Sequence, residues 1–96
     1  MVFGEIMSSL ESLRSMLSND NSRTIVRYCK EPRGAAEIIQ HLAKSSSTSQ
    51  SKDYWERVVS DLLPNLDKYG ALVYASGKWH VTQAGKDVLE KYFGGL

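Results

Sequence analysis

The chain has 96 residues, 42% of them apolar, a single cysteine and a formal net charge of +1, so one domain with one modest core is expected. That inventory excludes an internal disulfide, and the apolar runs fall far short of the ~20 residues that cross a bilayer. No basic segment followed by an apolar stretch stands at the N-terminus, so a reducing, cytoplasmic setting is expected.

Charge is unevenly distributed. Residues 1–20 set Arg14 against Glu5, Glu11 and Asp20, a balance of −2. Residues 21–53 set Arg23, Arg27, Lys30, Arg33, Lys44 and Lys52 against Glu31, Glu37 and Asp53, a balance of +3. A positive middle is a weak footprint for phosphate, although any solvated helix face has a similar look.

Ile6, Leu10, Leu13 and Leu17 recur at helical spacing and predict an amphipathic helix over 5–18. Ser18-Asn19-Asp20-Asn21 ends it and offers cap oxygens to a second helix, 21–30, with Ile25, Val26 and Cys29 inward. Cys29 reads as a small buried hydrophobe. Pro32 and Gly34 break the chain before a third helix, 35–43, that turns Ile38, Ile39 and Leu42 inward. The serine-rich run 44–52 carries no apolar residue and reads as a loop. A fourth helix, 53–69, follows with Asp53 as its cap and Trp55, Val59, Leu62, Leu63 and Leu66 inward. Pro64 should bend or split it. Beyond Gly70 the period changes to two, predicting a hairpin over 71–81 that turns at Ser76-Gly77 and pairs Tyr74 with Trp79. Thr82 caps a last helix, 83–93, and Gly94-Gly95 stops it. The fold class expected is mainly α with a small β-hairpin (α+β), a single domain arranged as a winged helix-turn-helix.

Four segments carry a resemblance: Leu17 to Ile25, Ala36 to Leu42, Leu63 to Val73, and Val81-Thr82-Gln83-Ala84-Gly85. In that order and spacing they resemble winged helix-turn-helix transcriptional regulators of the ArsR and MarR type, over roughly Ser18 to Phe93. Two features depart from the pattern: about ten residues, Ala43 to Lys52, replace a turn of three or four, and Pro64 sits inside the recognition helix. The resemblance implies a homodimeric, sequence-specific regulator of double-stranded DNA. Its dimer would be built by helices 1–18 and 83–96 through Ile6, Leu10, Leu13, Leu17, Leu89, Tyr92 and Phe93. Alternatively, these helices complete the core of a single chain.

For DNA the candidates are Arg57 and Ser60 at the start of the fourth helix, with Lys44, Ser46, Gln50 and Lys52 from the serine loop. Lys78 at the hairpin tip and Arg33 before the third helix complete the set. Glu56 and Asp61 flank Arg57 and oppose phosphate, which keeps a second reading open: a protein-binding module of a larger complex without DNA readout. His41 and His80 stand apart from Cys29 with no zinc-ligand spacing, so no metal site is expected. Neither a phosphate-cradling glycine loop nor a nucleophile elbow is present, so neither enzyme activity nor a cofactor is expected, and no small-molecule effector is identifiable.

Overall fold

In the computed structural model, which describes residues 2–45 and 50–96, with side chains from residue 10 onward, the elements follow the expected order. They are α1 (Val2–Leu17), α2 (Asp20–Tyr28), α3 (Ala35–Ser45), α4 (Lys52–Lys68), β1 (Leu72–Ala75), β2 (Lys78–Val81) and α5 (Gln83–Phe93). The chain is therefore mainly helical with one small antiparallel hairpin. Among the described residues no helix is long and apolar enough to cross a membrane.

Short polar side chains start three of the helices. Asn19 Oδ1 accepts from the Ser22 amide at 3.1 Å, Ser51 Oγ from the Tyr54 amide at 3.2 Å, and Thr82 Oγ1 from the Gly85 amide at 3.0 Å. The cap of α4 is thus Ser51 and not Asp53, because Ser51 keeps extended torsions while Asp53 already lies inside the first turn. Pro64 neither ends α4 nor splits it, for the helix runs from Lys52 to Lys68. Pro64 and Ser60 are both exposed, so the carbonyl that loses its amide partner lies on the solvated side, where water can satisfy it.

The core draws on every helix and on β1, with Leu17, Ile25, Ile38, Leu66, Leu72 and Leu89 fully enclosed. Cys29 joins it as a buried thiol. Trp55, 5% exposed, belongs to the same cluster.

The hairpin pairs Leu72 with Val81 and Tyr74 with Trp79, the register expected from the alternation. Both turn residues have positive φ, Ser76 at 54° and Gly77 at 78°, the torsions whose twist matches a two-residue hairpin. The Tyr74 and Trp79 rings lie 5.0 Å apart across the strands. The segment between α2 and α3 pairs with the free edge of β2. Arg33 accepts from the Trp79 amide at 2.7 Å and donates back to the Trp79 carbonyl at 3.1 Å, while Val81 donates to the Cys29 carbonyl at 3.2 Å.

Thr82 fastens the opposite end. Its hydroxyl donates to the Gly70 carbonyl, and its amide donates to the Ala71 carbonyl at 3.0 Å. A Cβ on Gly85 would lie 2.7 Å from that same Ala71 oxygen, so the residue three positions after the threonine must be glycine. Gly34 has only a side-chain atom, 3.7 Å away, in the equivalent position. Gly85→Ala should therefore cost about 1–3 kcal/mol of unfolding free energy by denaturant titration, through overpacking against backbone. Gly34→Ala should cost well under half of that.

Candidate nucleic-acid interface

Helix α4 turns Trp55, Val59, Leu63 and Leu66 into the core, which leaves Lys52, Glu56, Arg57, Ser60 and Asp61 exposed along its first half. The helical period that fixes the buried stripe fixes this outward set as well. Tyr54 is 39% exposed and meets Trp55 edge-on, with ring centroids 5.0 Å apart. Gln50, Lys44 and Lys78 are also exposed. Ser46 lies outside the described residues.

The arginines divide sharply. Arg23 donates to the Leu17 and Ser18 carbonyls, each at 2.9 Å, and pairs with Asp20, so it satisfies the C-terminal end of α1. Arg27 reaches the other end of the fold, donating to the Phe93 carbonyl at 2.7 Å and the Gly95 carbonyl at 3.1 Å. Arg14 lies 4.3 Å over the Tyr92 ring. Arg33 donates to the Tyr28 carbonyl at 3.3 Å, and its other nitrogens lie 3.4 Å from Glu31 and 3.6 Å from Glu37. Arg57 has no ion pair, hydrogen bond or aromatic partner among the described residues.

This division sharpens the reading of the charge. Half of the cations of the middle segment, Arg23, Arg27 and Arg33, hold helix ends and turns together, whereas Lys30, Lys44 and Lys52 are exposed. Arg33, a phosphate candidate of the sequence, is half-buried and turned toward Tyr28, Glu31 and Glu37. No local pattern distinguishes Arg27 as a tie between α2 and the end of α5; only its place in the last turn of α2 hints at it.

Around Arg33 the side chains form a layered cluster. Its guanidinium carbon sits 4.2 Å from the Tyr28 ring centre, and the His41 ring stacks on Tyr28 at 3.9 Å with planes 3° apart. Two planar groups this near one ring cannot share a face, so Tyr28 is sandwiched between cation and imidazole. Glu37 accepts from the Gly34 amide at 3.0 Å, and that bond, opposed by desolvation and helped by Arg33 and Lys78, holds its carboxyl below the usual range. Lys78 at the hairpin tip is thus close enough to the start of α3 for its charge to be felt there. Burial pushes the Cys29 thiol up to about 12, with Arg33 opposing and Glu37 adding to the rise, so it is not a thiolate at neutral pH. Among the described residues no group of three or more His, Cys, Asp or Glu side chains is placed to hold a metal ion.

Of the two readings of the terminal helices, a dimer face or the core of one chain, the second describes three of the named residues. Leu13, Leu17 and Leu89 are enclosed within a single chain, because α1 and α5 pack on each other and on the core. Phe93 is half-buried beneath Arg23. Only Leu10, 51% exposed, and Tyr92, 43% exposed, remain open from that set; the Ile6 side chain lies outside the described residues.

No protein-family model, curated protein or solved structure matches the chain significantly.

His41 should titrate below the ordinary histidine value of 6.5, since burial first and the Arg33 charge second disfavour its cationic form. Between the lowered native value and 6.5 the unfolded chain binds more protons, so stability is full above that window and falls as pH drops through it. Proton NMR of the imidazole and thermal melts across the same range test this, and His41→Gln should flatten the melts there.

Proposed function

We propose that α3 and α4 form a helix-turn-helix with β1–β2 as its wing, and that this face binds double-stranded DNA. The architecture is supported by the element order and by the antiparallel pairing of Arg33 with β2, which ties the turn before α3 to the hairpin. The observation that carries the DNA reading is Arg57: while the other arginines are engaged within the chain, it stands open on the first half of α4. A bidentate guanidinium there suits a guanine edge or a phosphate. Ser60 lies one turn on, and Lys52, Lys44, Gln50 and Lys78 supply backbone-positioning donors around it.

On this reading the protein is a transcriptional regulator. A two-fold dimer joined across Leu10 and Tyr92 would set two α4 helices about one DNA turn apart, ~34 Å, to match a palindromic site. The acidic residues on the same face, Asp53, Glu56 and Asp61, favour the second reading, in which α4 docks a basic protein partner. They also limit how much uniform phosphate attraction the face can exert.

Duplex affinity measured across a salt series separates the two. DNA binding predicts log K falling linearly with log salt, and a slope smaller by about 1 after Arg57→Ala or Lys78→Ala. No duplex binding at low salt would contradict the DNA reading.

A further inference from the structure

The outward face of the first half of α4 carries more negative charge than positive. Asp53, Glu56 and Asp61 are exposed there, against Lys52 and Arg57. Asp53 and Asp61 stand four positions before and after Arg57, the spacing at which helical ion pairs form. Among the described residues, however, the ion pairs involve only Arg23 and Arg33, so the Arg57 fork stays open between two carboxylates. Glu56 and Arg57 are consecutive, about 100° apart around the helix, and so do not face each other. A carboxylate acceptor and a bidentate donor therefore stand side by side on one exposed edge of α4.

We infer that this pair reads guanine and cytosine, an inference that rests on α4 binding duplex DNA. Arg57 donates to O6 and N7 of a guanine, and Glu56 accepts from the N4 amino group of a cytosine in the same or the next base pair. Other placements leave one of the two unsatisfied. A phosphate suits Arg57 but repels Glu56. Thymine meets a carboxylate with an acceptor and a methyl group, and adenine sets an acceptor beside its amino donor. Cytosine alone presents only a donor in the major groove. Glu56 thus lowers affinity for every duplex and recovers the loss only on the matching bases. It discriminates by repulsion as much as by attraction.

The test is selection of the full chain on a duplex pool with a randomised centre at low salt. Fluorescence anisotropy on the selected duplex and on a scrambled one follows. A G·C pair should be enriched at one fixed position. Replacing its guanine with 7-deazaguanine, which lacks the N7 acceptor, should weaken the parent chain about tenfold and Arg57→Ala hardly at all. Glu56→Ala should bind the scrambled duplex several-fold more tightly, yet lose most of its preference for the selected cytosine. A merely electrostatic or structural role of Glu56 would move both duplexes alike. Duplex binding without base preference, an A·T consensus, or Glu56→Ala strengthening both duplexes equally would overturn the inference and leave the DNA reading intact. Absence of any duplex binding at low salt would sink the DNA reading itself, and this inference with it.

Discussion

The hairpin has only four residues in each strand, too few to persist in water as an isolated ribbon, and everything proposed for this face depends on what holds it. Two sets of backbone bonds do so. Arg33 and Cys29 take up the free edge of β2, and Thr82 joins the end of the hairpin to the turn at Gly70 and Ala71. Each set links segments that are distant in sequence but consecutive in the core: α2 to β2 on one side, α4 to α5 on the other. The position of Lys78 relative to α3 and α4 is therefore fixed by main-chain pairing, and its side chain needs only a short reach to extend the same face.

The arginine placements follow a comparable logic. Helix ends leave carbonyls without partners, and the long guanidinium fork satisfies two of them at once. Arg23 does this for α1, and Arg27 does it for the chain leaving α5. A count of positive charge along the sequence cannot separate these internal cations from those that face solvent. What separates them is the three-dimensional position of the carbonyl groups, and that leaves Arg57 in a different condition from its neighbours.

Much of the architecture was legible in the sequence because it rests on local chemistry. Period and capping residues located each helix within a few residues, alternation gave the hairpin register, and Ser76-Gly77 gave its turn. Trp55, Cys29 and the Tyr74–Trp79 pair were placed correctly for the same reason. The failures were of other kinds. Pro64 does not split α4, since its face of the helix is solvated, and the cap of α4 lay two residues earlier because serine and aspartate compete for that role. For Leu13, Leu17 and Leu89 the sequence left a dimer face and the core of one chain both open, since an apolar stripe carries no sign of which surface covers it. The pairing of Arg33 with Trp79 spans 46 positions and leaves no local trace. Of the interface itself, the outward set on α4 followed from its period, whereas the internal use of Arg33 did not.

The most direct test of the central claim is an amide shift map of the chain titrated with a short duplex at low salt. The account predicts changes concentrated at the start of α4, from Lys52 to Asp61, and at Ser76 to Lys78, with the amides of α5 unmoved near Tyr92. Changes confined to α1 and α5, or none at all, would contradict it.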